Sequence, residues 1–139
     1  MTKLWLILLI LILALLAVVL FLLLRTSGTT EAESATVQKL TPSEVQTMMA
    51  SGAPFVLLDV REPSEFDEGH IPDAISMPLG TLSERAPFDI SDKDMPLIVY
   101  CRSGRRSAEA AQLLLILGFQ SVFDLGGILD WPYEIQRPE

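Results

Sequence analysis

The feature that most constrains this chain is an uninterrupted apolar run close to its N-terminus. Residues 4–24 are all apolar, 21 in succession. As an α-helix with a rise of about 1.5 Å per residue, such a run spans roughly 30 Å, the thickness of the hydrocarbon core of a bilayer. No side of this helix is polar, which argues against a helix packed on a soluble core. We expect residues 1–25 to form a single-pass transmembrane anchor that places residues 4–24 in the lipid bilayer.

A cleaved signal peptide is the alternative interpretation of the same run. The apolar part of a signal peptide is usually about 7–15 residues long and precedes a small-x-small cleavage site. The run is longer here, and residues 32–35 (AESA) match such a site poorly. The N-terminal tail before the run is very short and contains Lys3, so we expect the tail inside and the following domain outside the cytoplasm.

After the anchor, the composition predicts a tether and then one domain. Residues 26–36 lack apolar periodicity and are expected to be a flexible tether. Within residues 37–139, short apolar runs at 55–58 and 97–100 alternate with helical patterns at 42–51 and 108–117. This alternation predicts an α/β domain with a doubly wound parallel sheet and helices on both faces. We expect a loop over residues 86–94, a last strand at 122–124, and a turn at Gly126–Gly127 into a short helix over 128–133.

One loop combines the features of a reactive site. The strand at 97–100 runs directly into Cys101, followed by RSGRRS at residues 102–107 and then the helix. A strand–loop–helix junction points backbone N–H groups and the positive end of a helix dipole into the loop. Such a loop stabilises a thiolate and binds an anion. Ligands of parallel sheets bind at the carboxyl ends of the strands, which is where Cys101 falls.

Charge and cysteine content narrow the function further. The formal net charge is −8, which argues against nucleic acid as a partner. The three arginines of the loop, Arg102, Arg105 and Arg106, are a local exception to this acidic background. Cys101 is the single cysteine of the sequence, so it allows neither an internal disulfide nor a cysteine-based metal site.

A set of motifs in this order and spacing resembles a rhodanese (thiosulfate sulfurtransferase-like) domain over residues 37–137. The motifs are LDVR at 58–61, EF at 65–66, GHIPDA at 69–74, VYCRSGRRS at 99–107, GG at 126–127, and Trp131. One departure is Asp73, where the family usually has glycine, and we expect a local change in the turn.

The resemblance implies a catalytic domain that is tethered to a membrane and needs no cofactor or metal. Cys101 would carry sulfur as a persulfide, taken from a small anionic donor such as thiosulfate or a persulfide. The acceptor would be cyanide, a thiol, or a protein that accepts sulfur. The loop residues expected to bind the donor are Arg102, Ser103, Gly104, Arg105 and Arg106, and the resemblance favours Arg102 and Arg106 as the arginines that point inward.

Four other residues are expected to have supporting or structural roles. Asp59 and Arg61 are expected to form a buried ion pair near the site that orients the loop without reacting. His70 and Trp131 are interpreted as structural residues.

Two other function classes stay open at this point. Cysteine-dependent phosphatases and arsenate reductases also place a cysteine loop at a strand–helix junction, but their signature has five residues between cysteine and arginine. Here only four residues separate Cys101 from Arg106, and a shorter loop suits one sulfur atom better than a tetrahedral phosphate. A non-catalytic rhodanese-like module, used for docking or redox sensing, is the other alternative.

Overall fold

The structure, a computed structural model, describes residues 2–26 and 36–137 in two separate units. The first unit is helix α1 (Thr2–Thr26). Its segment Lys3–Phe21 is long and apolar enough to cross a membrane, with a mean hydropathy of 3.4, although a signal sequence has the same character. The predicted tether lies outside the described residues except at its two ends, residues 26 and 36.

The second unit is built on a five-stranded sheet in which every neighbouring pair is parallel. Its spatial order is β1-β5-β4-β2-β3. The strands are β1 (Gln38–Lys39), β2 (Val56–Asp59), β3 (Ile75–Ser76), β4 (Leu97–Cys101) and β5 (Val122–Gly127). The helices are α2 (Pro42–Ser51), α3 (Pro63–Glu68), α4 (Leu82–Asp89) and α5 (Arg105–Ile116), with short 3-10 turns at Leu79–Thr81 and Ile128–Asp130.

Both faces of the sheet are covered, as the sequence predicts. Side chains of a strand point alternately to the two faces. Leu97, Val99 and Cys101 of β4 therefore join one apolar cluster with α4 and α5, whereas Ile98 and Tyr100 join a second cluster with α2. Every residue of β4 is buried, which explains why this strand is an unbroken apolar run in the sequence. The doubly wound α/β fold is confirmed.

The start of α2 also follows its sequence signal. Thr41 is the N-cap, and Pro42 occupies the first helical position. The Thr41 backbone N–H donates to Glu44 Oε2 over 2.7 Å, while the Glu44 N–H donates to Thr41 Oγ1 over 3.3 Å. These two hydrogen bonds form a capping box, which the residue types at 41–44 (TPSE) predict: threonine at the N-cap, proline at the first helical position and glutamate at the third.

The predicted loop over residues 86–94 is wrong in its first part, because α4 continues to Asp89 with Pro87 inside it. Leu82, Ala86 and Ile90 recur four residues apart, and all three are buried. Pro87 lies on the exposed side of the helix. Burial of the apolar stripe therefore outweighs the loss of one backbone hydrogen bond at the proline.

The end of β5 is a second correction. The strand does not stop at Asp124 but extends to Gly127, because Gly126 pairs with Tyr100 and Gly127 pairs with Cys101. A bulge interrupts the pairing between these residues and Asp124. The short helix expected over residues 128–133 is only the 3-10 turn Ile128–Asp130.

Asp73 occupies a backbone position that favours glycine. It has a φ of 62°, the only positive φ of a non-glycine residue within the described residues. The Ala74 N–H donates to the Ile71 carbonyl oxygen over 3.1 Å, which closes a turn with Pro72 and Asp73 in its centre. This is the type II arrangement, with proline second and a left-handed residue third.

The substitution Asp73→Gly is expected to raise the free energy of unfolding by up to about 1 kcal/mol. Relief of the left-handed strain, about 1–2 kcal/mol, exceeds the entropy that glycine adds to the unfolded chain, about 0.4–1 kcal/mol. Urea unfolding followed by circular dichroism measures this change. The control is Asp67→Gly in α3, which should lower stability because glycine weakens a helix. A loss of stability in Asp73→Gly would contradict this account of the turn.

Candidate active site

The reactive loop is short because α5 begins earlier than its apolar pattern suggests. Cys101 is the last residue of β4, and α5 begins at Arg105, so only residues 102–104 connect them. Gly104 is the N-cap of α5, with a φ of 99°. Its backbone N–H donates to Cys101 Sγ over 3.1 Å. The first turn of the helix is therefore part of the wall around the sulfur.

The Ser107 side chain ties this loop to the neighbouring strand. Its hydroxyl lies within donating distance of the Gly104 carbonyl oxygen, at 3.0 Å, and of the Gly126 carbonyl oxygen, at 3.2 Å. Ser107 is fully buried. Because a buried hydroxyl needs a partner, these carbonyl groups fix the helix start against the end of β5.

Gly127 allows the loop to lie directly against β5. A Cβ atom at this position would lie 2.5 Å from the Arg102 carbonyl oxygen and 2.8 Å from Ser103 Cα, both of them backbone atoms. The Arg102 carbonyl oxygen also accepts a hydrogen bond from the Leu129 N–H, at 3.3 Å. The two-glycine motif is therefore a packing surface for the reactive loop, and any larger side chain at Gly127 would displace it.

The loop favours the thiolate form of Cys101, a residue that is only 1% exposed. Burial raises the pKa of the thiol. Hydrogen bonds from the backbone N–H groups of Ser107, Gly104 and Ser103 together lower the pKa by more than burial raises it. The pKa of Cys101 therefore lies below its ordinary value. This is the hydrogen-bonding mechanism of pKa depression, in which donors stabilise the charged form of the group.

The three loop arginines have different surroundings. Arg102 is exposed and has neither an ion pair nor a side-chain hydrogen bond among residues 36–137. Arg105 lies 3.8 Å from Glu109 on the same helix, and both side chains are largely exposed. Arg106 is held by Glu65 of α3, through contacts of 2.6 Å and 2.8 Å from its two terminal nitrogens. Arg102 is thus the loop arginine without a carboxylate partner among residues 36–137.

Glu65 is the residue of this region that our interpretation of the sequence missed. The hydrogen bond and the charge of Arg106 lower the pKa of the Glu65 carboxyl to about 2, although partial burial opposes this shift. The only signal was the Glu65-Phe66 pair within the motifs. The partner lies 41 residues further along the chain, and no local pattern identifies a contact over that distance.

The expected ion pair between Asp59 and Arg61 does form. Arg61 Nη2 lies 2.6 Å from Asp59 Oδ2, and both side chains are buried. The same nitrogen donates to the Gly69 carbonyl oxygen over 2.8 Å. Burial opposes the charge of Arg61, but the Asp59 carboxylate outweighs it and raises the pKa of the guanidinium. The pair connects the end of β2 to the segment after α3.

The sequence profile described as the rhodanese-like domain matches residues 41–133. The chain belongs to the rhodanese-like domain family.

Relatives of this rhodanese domain are named for sulfur transfer. A sulfurtransferase of Allochromatium vinosum is 34% identical over 98 residues, which are 68% of this chain and 88% of that protein. The thiosulfate sulfurtransferase PspE of Escherichia coli is 36% identical over 73 residues, 52% of this chain and 70% of that protein. The solved structure titled "rhodanese with anions from E. coli" has a TM-score of 0.56 and 31% identity, and the match covers 60% of this chain and 98% of that one. The chain is therefore similar to sulfurtransferases in sequence and in fold.

His70 and Trp131 have structural contacts in this domain. His70 stacks on Phe66 at 3.7 Å between ring centroids, and its Nδ1 donates to the Phe66 carbonyl oxygen over 3.0 Å. Trp131 is buried, and its Nε1 donates to the Glu134 carbonyl oxygen over 3.1 Å. Neither side chain has a hydrogen bond to Cys101 among the described residues.

The lowered pKa of Cys101 predicts reactivity below the ordinary thiol range. The rate of alkylation by iodoacetamide should reach half its maximum at a pH below about 8.5, the ordinary thiol pKa, because the thiolate is the reactive form. Measuring the rate against pH by mass spectrometry tests this expectation. The control is the same chain in urea, where the loop is lost and the midpoint should return to the ordinary range. Equal midpoints in the folded and unfolded chain would contradict the predicted stabilisation.

Proposed function

We propose that this protein is a sulfurtransferase that moves a sulfane sulfur from thiosulfate or a persulfide donor to a thiol or cyanide. The observation that carries the proposal is the set of loop N–H groups around Cys101, which favour a thiolate at the end of the central strand. The thiolate is the form that attacks sulfur. The lowered pKa increases the thiolate fraction of Cys101 without a base beside the cysteine.

The reaction proceeds in two balanced steps. The Cys101 thiolate attacks the outer sulfur of thiosulfate, the bond between the two sulfur atoms breaks, and sulfite leaves with the bonding electron pair. The product is a Cys101 persulfide anion. In the second step cyanide attacks the terminal sulfur, which leaves as thiocyanate and restores the Cys101 thiolate. A persulfide donor releases its own thiolate in place of sulfite in the first step.

The loop supplies the contacts for an anionic donor. The N–H groups of Ser103 and Gly104 face the sulfur, and arginines suit oxyanions through forked hydrogen bonds. Among the predicted donor ligands, the exposed Arg102 can reach a donor without losing a partner, whereas Arg105 and Arg106 each face a carboxylate. The similarity to the thiosulfate sulfurtransferase PspE supports thiosulfate as the donor, and the similarity to the E. coli rhodanese with anions supports an anion at such a loop.

Asp59 and Arg61 act as supporting residues in this proposal. Their pair anchors the chain between β2 and residue 69, and that segment contains Glu65, the partner of Arg106. With one cysteine in the sequence, the persulfide sulfur passes to an external acceptor: cyanide, a small thiol or the thiol of a protein.

The decisive experiment compares sulfur transfer with phosphate chemistry. The wild-type chain should form thiocyanate from thiosulfate and cyanide, gain one sulfur atom on Cys101 by mass spectrometry, and leave an aryl phosphate intact. A loop of this length converges its N–H groups close to Sγ, whereas a phosphate needs a wider ring of donors. Cys101→Ser is the matched control, and it should fold but lose sulfur transfer entirely. Hydrolysis of the aryl phosphate without added sulfur would establish the phosphatase alternative.

We further propose that α1 stays in the protein as a membrane anchor, with the rhodanese domain outside the cytoplasm. The apolar length of Lys3–Phe21 supports a span, and the positive charge of Lys3 before the apolar run favours this orientation.

Membrane fractions washed with alkaline carbonate should retain the protein, because a spanning helix resists this extraction. Its mass should equal the full 15.3 kDa of the chain. A protease added outside the cytoplasmic membrane should degrade the domain. A shorter protein that starts within residues 27–36 would instead identify a cleaved signal sequence, and protection from the protease would reverse the orientation.

A further inference from the structure

Glu65 and Arg106 form a bidentate ion pair at the edge of the reactive loop. Arg106 Nη1 lies 2.6 Å from Glu65 Oε2, and Nη2 lies 2.8 Å from Oε1. The two side chains are only 21% and 22% exposed. Paired guanidinium and carboxylate groups in this geometry are among the stronger ion pairs of proteins. The positive charge of Arg106 is therefore balanced locally before any donor arrives.

The carboxylate is held in place independently of Arg106. Glu65 Oε2 also accepts a hydrogen bond from the Glu62 N–H over 3.0 Å, within the capping box of α3. Its pKa of about 2 keeps it ionised at any neutral pH. Glu65 is thus a fixed negative charge beside the loop, anchored on a different helix from Arg106.

The other loop arginines lack such a partner. Arg102 has no ion pair among residues 36–137, and the contact of Arg105 with Glu109 is long and exposed to solvent. Exposed pairs of this kind are worth little because water and salt screen them. Arg102 and Arg105 therefore lack a strongly held counter-charge, whereas Arg106, whose charge interacts with the Cys101 thiolate, has one in Glu65.

We propose that Glu65 determines whether the site prefers singly or doubly charged donors. It does so by neutralising Arg106, which then attracts a bound donor less. This inference rests on the proposed sulfur transfer. Compared with a loop in which Arg106 is unpaired, the Glu65–Arg106 pair makes the site favour a monoanionic persulfide over a dianion such as thiosulfate. Glu65 is a specificity-determining residue in this account and takes no part in bond making.

The charge of the donor makes this inference measurable. The Coulomb energy of an anion with a fixed cation is proportional to the charge of the anion. Releasing the charge of Arg106 therefore strengthens thiosulfate binding by the square of the factor by which it strengthens binding of a monoanion. For a partly screened cation near the loop, we expect about a threefold to tenfold lower KM for thiosulfate, and about a twofold to threefold lower KM for an alkyl persulfide.

The test uses Glu65→Gln in the full chain, solubilised in detergent. Glutamine keeps an oxygen that accepts the Glu62 N–H, so the cap of α3 is preserved while the charge is removed. KM and kcat are measured for thiosulfate and for an alkyl persulfide, with cyanide as acceptor. The matched control is Glu109→Gln, which removes an equal charge from the exposed partner of Arg105, and it should change either KM by less than about twofold.

A second readout does not depend on turnover. Iodoacetate and iodoacetamide alkylate the same thiolate, but only iodoacetate is an anion. The ratio of the iodoacetate rate to the iodoacetamide rate at Cys101 should rise about twofold to threefold in Glu65→Gln and stay constant in Glu109→Gln. This ratio reports the potential at the sulfur even if neither donor is a substrate.

The outcomes separate this inference from the proposed function. A KM for thiosulfate that stays constant or rises in Glu65→Gln would overturn the inference. A rise would show that Glu65 instead positions the Arg106 side chain to bind the donor. A wild-type protein that gains no sulfur from either donor would instead overturn the proposed function, while the alkylation ratio would still test the charge of Arg106. If Glu65→Gln does not fold, Glu65→Asp loosens the same pair by one methylene group and should lower the KM for thiosulfate by a smaller factor.

Discussion

The central constraint on this structure is that a cysteine whose charged form is stabilised lies at the end of a fully buried strand. Burial disfavours the negative charge on the sulfur, so the surrounding groups must stabilise it. The burial of β4 drives the sheet to form, but the same burial raises the pKa of Cys101. Backbone N–H groups of the loop and of the first turn of α5 outweigh this penalty, because they point at Sγ and need no reorganisation. The start of α5 at Arg105 and the close approach of the loop to Gly127 keep the loop short, which brings these N–H groups to the sulfur.

Two ion pairs hold the segment after β2, and only the second of them reaches the reactive loop. Asp59 and Arg61 are close in sequence and fully enclosed, so their pair fixes the shape of one segment. Glu65 and Arg106 are 41 residues apart and partly exposed, so their pair connects α3 to the start of α5, next to the reactive loop. Removing one partner of a buried pair leaves an uncompensated charge, which is strongly destabilising. Solvent can reach the second pair, which makes it the better place to tune binding without loss of the fold.

The sequence predicts the fold well where a single local pattern decides the outcome. The alternation of apolar runs and helices predicts the parallel sheet, and the capping box predicts the start of α2. The predictions are wrong where tertiary packing outweighs a local signal. Pro87 suggests a loop, but buried Ala86 keeps the helix intact, and Gly126–Gly127 suggests a turn, but pairing with β4 extends the strand. Cys101 and its loop are evident from the sequence, whereas the partner of Arg106 depends on how α3 packs beside α5.

The charge distribution explains why short-range contacts must select the donor. The chain carries a formal net charge of −8, so its overall field repels the anions that the loop is suited to bind. At physiological ionic strength this field decays over about 8 Å, and a donor within the loop experiences mainly the groups that touch it. In the sulfur transfer that we propose, Arg102 and the loop N–H groups provide the attraction, and Glu65 reduces the contribution of Arg106. We therefore infer that the Glu65 carboxylate, at the edge of the loop, has more influence on donor choice than the many carboxylates that lie further away.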